Sequence, residues 1–188
     1  MTVRVVFETA LGDVEITVYP SRAPISAGNF LAYVDGGHYD GATLYRAARK
    51  SAPGTIGIVQ GGLLATAMSG ESAYLDRATP PFPPIDHETT QTTGIPNERG
   101  TLALARLEPG TASSEFFFNL SDNPELDTGT GTPGRDGFGY ATFGRVIRGM
   151  EVLDAMLDLP ADGETTIDQV RGQILRDPIG IQRAYRAR

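Results

Sequence analysis

The chain has 188 residues, 40% of them hydrophobic and 21% charged, a balance that suits one folded domain over 1–188 and excludes a disordered polypeptide. Its 16 Lys and Arg against 23 Asp and Glu give a net charge of −7, which argues against a nucleic-acid partner because phosphate binding needs clustered positive charge. Without cysteine there is neither a disulfide framework nor a thiolate nucleophile or metal site.

No apolar run approaches the roughly 18 residues that span a bilayer, so no membrane partner is expected. Met1-Thr2-Val3-Arg4 enters an alternating pattern at once, leaving no room for a signal peptide. A cytoplasmic location follows for the sequence as it stands, or a periplasmic one if an export signal was removed. Val3, Val5 and Phe7 alternate with Arg4, Val6 and Glu8, and Val14, Ile16 and Val18 with Glu15 and Thr17. Period-two patterning marks half-buried strands, and Leu11-Gly12-Asp13 supplies a turn, so residues 2–19 read as a β-hairpin ended by Pro20. From Pro24 to about Asp35 the period changes: Ala27, Phe30, Leu31 and Val34 fall on one side of a helix, which Gly36-Gly37 stops.

Thr43-Leu44-Tyr45-Arg46 and Ile58-Val59-Gln60-Gly61-Gly62 read as two short strands, each carrying one long polar side chain among apolar ones. Arg46 presents a planar fork of donors and Gln60 both a donor and an acceptor. Ala65 to Ser72 reads as a short helical or irregular piece, and Thr79-Pro80-Pro81-Phe82-Pro83-Pro84 as an extended, rigid surface loop. Gly100 to Arg106 and Ser114 to Asn119 are further strands, the latter with Phe116, Phe117 and Phe118 placing rings on both faces.

A Gly/Thr/Pro-rich loop runs from Asn123 to Gly139, and Tyr140 to Ile147 returns to strand. Met150, Leu153, Met156 and Leu157 mark a second short amphipathic helix closed by Pro160. Residues 161–177 read as an extended connection. Ile179 to Tyr185 makes a final strand able to pair with the first. Many short strands, separated helices and 23 Gly with 13 Pro suggest a mainly β fold, a closed barrel with helices at its ends.

Several motifs dissolve under their structural requirements. Gly129-Thr130-Gly131-Thr132-Pro133-Gly134 satisfies GxGxxG formally but has no strand before it and no helix after it, and reads as a loop. His87-Glu88 begins like a zincin motif, but Gln91 replaces the second ligand, and His38 and His87 are the only histidines. No serine sits in a G-x-S-x-G elbow. Asn119-Leu120-Ser121 is a glycosylation sequon by pattern only.

Taken together, Phe7-Glu8-Thr9 with Gly12, Tyr19-Pro20, Asn29-Phe30-Leu31, Tyr39-Asp40-Gly41, Tyr45-Arg46, Val59-Gln60-Gly61-Gly62, Asn97 to Ala103, Phe116-Phe117, Leu126-Asp127, Tyr140 to Gly144 and Gly149-Met150 line up in order with one family. The chain resembles the cyclophilin-type peptidyl-prolyl cis/trans isomerases of bacterial type over nearly its whole length. The resemblance implies an eight-stranded antiparallel β-barrel capped by two α-helices. It also implies isomerisation of X-Pro bonds in flexible polypeptides, in aid of protein folding, by a monomer with no cofactor and no metal.

Residue by residue, the resemblance makes Arg46 the principal catalytic residue and Gln60 a neighbour that contacts the peptide backbone. Ala105 and Arg106 line the groove, Arg106 mainly through its main chain. Phe117 and Leu126 wall the proline pocket, and Ile58 stands where a Met is frequent. There are departures. Gly57 occupies the position of a Phe that packs on the prolyl ring, so Ile56 or another loop residue is expected to supply that surface. Glu115 replaces a pocket Gln, Tyr140 a frequent His, and Glu125 an aromatic residue that helps bind cyclosporin, so weak or absent cyclosporin binding is expected.

The chemistry needs no nucleophile. The X-Pro barrier comes from amide resonance, and a donor aimed at the prolyl nitrogen stabilises the twisted state in which that resonance is lost. A Glu115 carboxylate reaching Arg46 would offset its positive field, so Glu115→Gln is expected to raise turnover. The alternative is a peptide-binding module of the same fold with little turnover, which Gly57 and Glu115 favour. A barrel hydrolase lacks any nucleophile or metal constellation.

Overall fold

The computed structural model describes residues 1–64, 80–131 and 136–187. Ala65 to Ser72, Thr79 at the head of the proline run, and Thr132 to Gly134 of the formal glycine motif lie outside the described residues. Strands β1 (Val3–Thr9), β2 (Gly12–Val18), β3 (Thr43–Ala48), β4 (Ile58–Gly62), β5 (Thr101–Leu104), β6 (Phe116–Asn119), β7 (Thr142–Arg148) and β8 (Ile174–Arg186) close into a barrel in the order β1-β2-β7-β5-β6-β4-β3-β8. Every neighbouring pair is antiparallel, so the barrel has no open edge to protect.

The β1–β2 hairpin sets the register. Val5 faces Ile16 and Phe7 faces Val14, and all four are fully buried. Between the strands, the Thr9 hydroxyl donates to the Gly12 carbonyl at 2.7 Å and accepts from the Leu11 N–H at 3.2 Å. The interior is aromatic: Phe7, Phe30, Tyr39, Phe116, Phe118 and Phe143 meet with ring centroids between 5.0 and 6.4 Å apart, in tilted and edge-on pairs.

Helices α1 (Pro24–Asp35), α2 (Thr90–Thr93) and α3 (Met150–Met156) and two short 3-10 turns complete the described elements. Pro24 opens α1, and Ala23 at its N-cap offers no side-chain acceptor. That role falls to a distant residue: the Glu88 carboxylate accepts from the Ile25 N–H at 3.1 Å and the Ser26 N–H at 2.7 Å. α1 packs on β7 and β8, α3 on β2, and the apolar stripes Phe30-Leu31-Val34 and Leu153-Met156 join the core. α2 spans four residues, too few for any periodicity to announce it.

Several strand boundaries differ from the expected ones. β5 and β6 are shorter than the expected runs, and β7 starts at Thr142 rather than Tyr140. β8 starts at Ile174, earlier than the expected Ile179. Pro178 lies inside this strand. A strand interior normally excludes proline, but the pairing with β3 jumps from Leu44↔Ile179 to Arg46↔Ile174, so Pro178 sits in the irregularity and owes no ladder hydrogen bond. The stretch expected as a connection therefore includes the first part of β8, and before it a 3-10 turn over Asp168–Val170.

Candidate active site

Four adjacent strands present one row of side chains outside the core: Arg46 pairs with Gln60, Gln60 with Phe117, and Phe117 with Ala103. The intervening row, Val59, Phe118 and Leu102, belongs to the core. Strand pairing thus brings Arg46, Gln60 and Phe117 side by side although they are far apart in sequence. A bulge in β3, where the pairing skips from Leu44 to Arg46, turns both Tyr45 and Arg46 toward Gln60.

The guanidinium of Arg46 is gripped from two sides. Nη1 donates to Gln60 Oε1 at 2.9 Å, while Nε and Nη2 donate to Gln173 Oε1 at 2.9 and 2.7 Å. Gln173 also accepts the Ala47 N–H through its main-chain carbonyl at 2.8 Å. Behind Gln60, its Nε2 donates to the Tyr45 hydroxyl oxygen at 3.0 Å, and that hydroxyl donates to Glu115 Oε2 at 2.5 Å. Burial first, then the Glu115 charge, push the Tyr45 hydroxyl well above its usual pKa, so it stays a donor.

Beside this polar pair lies a separate apolar cluster. Ala48, Ile58, Ala103, Phe117 and Leu126 are buried together, with Ile56, Ala105 and Tyr140 packed against them at its margin. The expected substrate-binding residues Ile58, Ala105, Phe117, Leu126 and Tyr140 therefore share one patch, and Tyr140 stands edge-on to Phe117 at 5.6 Å. Gly57 contributes no side chain. A Cβ there would meet Ser121 Oγ at 2.3 Å, and the neighbouring Ile56 packs against the patch.

The Leu126 wall is fixed by buried amides. Asn123 Nδ2 donates to Asn119 Oδ1 at 2.7 Å and to the Gly57 carbonyl at 3.0 Å, and Asn123 Oδ1 accepts the Gly57 N–H at 3.1 Å. Asn119 donates to Asn97 and Thr101, and Asn97 donates to Asp127 and to the Leu126 carbonyl. Asn119 is fully buried by this network, which removes it from the surface a glycosylation site requires. The Tyr140 wall is held by Arg106, whose side chain is only 2% exposed. Its guanidinium lies over the Tyr140 ring at 4.7 Å, pairs with both oxygens of Asp136 and donates to the Gly139 carbonyl.

Glu115 departs from its expected place. It is 7% exposed, and its carboxylate faces Tyr45, the Leu63 and Leu64 N–H groups at 2.7 and 3.0 Å and the Ser114 hydroxyl, with no bond to Arg46. Neither groove lining nor direct offset of the Arg46 charge describes it. Gly62 makes its slot: the backbone there has φ +142°, and a Cβ would lie 2.2 Å from Oε1. Glu125 pairs with Lys50 Nζ at 2.9 Å. The formal zincin histidine, His87, is spent on the Phe138 carbonyl at 3.1 Å.

Gln173 and Asn123 carry no sequence signal, since an amide in a loop looks like solvent-facing polarity. Tyr45 did carry one. A tyrosine in a strand that otherwise reads as buried needs a partner for its hydroxyl.

A family model of the cyclophilin type peptidyl-prolyl cis-trans isomerases (with CLD) matches residues 4–176. The chain is 38% identical over 154 residues to a peptidyl-prolyl cis-trans isomerase of Acinetobacter baylyi, covering 81% of this chain and 71% of that one. It is 35% identical over 181 residues to peptidyl-prolyl cis-trans isomerase A of Dickeya dadantii, covering 96% and 82%. Among solved structures it is similar to a Cryptosporidium parvum cyclophilin type peptidyl-prolyl cis-trans isomerase crystallised in the presence of the dipeptide Ala-Pro, with a TM-score of 0.72, 25% identity and 98% and 99% of the two chains covered.

Proposed function

This chain belongs to the cyclophilin-type peptidyl-prolyl cis-trans isomerases, and from that premise we propose that Arg46 is its catalytic residue and that the patch around Phe117 receives the prolyl ring. The activity is rotation about X-Pro bonds in flexible polypeptides, in service of folding. An amide barrier of about 18–20 kcal/mol stands in the way, maintained by donation of the nitrogen lone pair into the carbonyl. When the bond twists, that lone pair localises on the prolyl nitrogen, and a guanidinium N–H pointed at it stabilises the twisted state more than either planar one.

Each remaining residue then has a task. Phe117, Leu126, Ile58, Ile56 and Tyr140 hold the ring and keep water off it, which strengthens the Arg46 contact. Gln60 and the nearby strand backbone hold the flanking peptide, Ala105 lines the groove, and Arg106 serves by bracing Tyr140 rather than by touching substrate. The observation that carries this reading is the register that sets Arg46 and Gln60 next to Phe117 on one face. Its test is cis-to-trans conversion of a short X-Pro peptide by wild type and Arg46→Ala. Loss of most of the acceleration in a folded mutant supports the assignment, and retained acceleration moves the centre elsewhere.

The Glu125–Lys50 pair stands where the family resemblance implies an aromatic residue, and a salt bridge offers cyclosporin little apolar area in that place. We expect weak cyclosporin binding, tightened by Glu125→Trp. A nanomolar Kd for wild type overturns this.

A further inference from the structure

We propose that Glu115 is a positioning residue for Arg46, acting through Tyr45 and Gln60 by fixing the direction in which hydrogen bonds run along that line of side chains. The proposal rests on Arg46 as the catalytic centre. Its ground is the donor inventory. Arg46 can only donate and an ionised Glu115 can only accept, whereas Tyr45 and Gln60 between them can each do both. With the two ends fixed, the middle has one solution: Tyr45 donates to Glu115, so its oxygen accepts from Gln60 Nε2, so Gln60 Oε1 is left facing Arg46 Nη1. The amide of Gln60 is thereby held in the only orientation that accepts from the guanidinium.

The same inventory says what reverses it. Glu115 Oε1 already faces the Leu63 and Leu64 N–H groups and the Ser114 hydroxyl, so a proton added to the carboxylate goes on Oε2, toward Tyr45. The Tyr45 hydroxyl then has a donor in front of it and turns to donate to Gln60. Gln60 answers by flipping, and its NH2 group meets the donors of Arg46. A glutamine at position 115 does the same permanently, because its oxygen suits the backbone N–H groups and its NH2 faces Tyr45. This inverts the sequence-based expectation: Glu115→Gln lowers activity instead of raising it.

Among the described residues, the titratable groups that face Glu115 are Tyr45 on β3, Tyr39 in the loop after α1 and Tyr33 on α1, with Arg46 beyond Tyr45. Burial pushes the carboxyl above its ordinary value, against the opposing pull of its bonds from Tyr45, Leu64, Ser114 and Leu63. The sign for activity follows: kcat/KM falls as pH drops through that raised value. The sign for stability is opposite. A carboxyl whose folded pKa exceeds its unfolded one makes the native state bind the proton first, so its contribution to stability rises over the same window. Activity lost to Glu115 protonation is therefore separable from acid unfolding.

The experiment measures kcat/KM on an X-Pro peptide across roughly pH 4.5 to 8 for wild type, Glu115→Gln, Tyr45→Phe and Arg46→Ala, with melting temperatures at each pH. Glu115→Gln is expected to lose about tenfold at neutral pH and to lack the acid limb of wild type, and the double variant with Tyr45→Phe to be no worse than Tyr45→Phe alone. A second readout needs no variant: the Gln60 side-chain amide and Arg46 Nε–H NMR signals of wild type shift together as Glu115 titrates. Superimposable pH profiles for wild type and Glu115→Gln, a rise in activity, or Gln60 signals that do not follow the titration each overturn the relay. Full activity in Arg46→Ala would instead sink the catalytic assignment, and the NMR titration judges the relay independently of it.

Discussion

The two faces of β6 do different work with the same amino acid. Phe116 and Phe118 turn inward, where Phe116 meets Phe7 at 5.5 Å and Tyr39 at 5.2 Å, and each ring is enclosed by others. Phe117 turns the other way, toward Tyr140, Leu126 and the Arg46–Gln60 pair. Inside, aromatic rings replace one another's contact with water and the gain is stability. Outside, one ring is backed by the sheet and bordered by polar groups, an arrangement suited to an apolar ligand beside a cation. Alternation along a four-residue strand separates the core from the face proposed to react.

That separation can be broken by substitution. Phe118→Ala is expected to cost about 3–5 kcal/mol of unfolding free energy, the usual penalty for a large ring removed from a tight core, while the molecules still folded keep kcat/KM within about twofold of wild type. Urea unfolding with an unchanged m-value, beside peptide kinetics at low temperature, checks both halves. Arg46→Ala should do the reverse. It is expected to lose about 100-fold in kcat/KM, near 2.7 kcal/mol, with the urea midpoint almost unmoved. Phe117→Ala lies between, with a stability loss smaller than that of Phe118→Ala and about tenfold lower kcat/KM. Equal stability losses for the two phenylalanines with no difference in kinetics would erase the distinction between faces.

How much of this was legible depended on whether a residue's partner was implied by its own pattern. The hairpin, α1 and the alternation of Phe116, Phe117 and Phe118 follow from periodicity, because burial on one face leaves a local record. Arg46, Gln60, Ile58, Ala105, Leu126 and Tyr140 came from a match to a family pattern, and the structure gathers all but the first two in one apolar patch with Phe117. Glu115 was misplaced because the sequence shows its neighbours in the chain, Ser114 and Phe116, but not Gly62 or Tyr45 across the sheet, and those decide where the carboxylate goes. The first part of β8 is hidden because proline is normally excluded from a strand interior, and only the pairing with β3 shows that a bulge has removed the hydrogen bond Pro178 cannot make. Glu88 at the head of α1 and Gln173 on Arg46 share the same obscurity: each is a polar residue in a loop whose partner is long-range.

The outer face has one dependence that the inner face lacks, namely buried amides. The core needs only complementary apolar shape, whereas the Leu126 wall is attached to the barrel through Asn123, which is fully buried and bonded to Gly57 and Asn119. Asn123→Ala leaves the Gly57 N–H and Asn119 Oδ1 without that partner and is expected to cost about 1–3 kcal/mol in urea unfolding. The cost to function should have a particular form. A loosened wall weakens the grip on the prolyl ring in ground and transition states alike, so KM rises while kcat changes little, in contrast to Arg46→Ala, where kcat falls. If Asn123→Ala lowers stability and leaves KM where it was, Leu126 is held by its strand neighbours alone, and the outer face is as self-sufficient as the core.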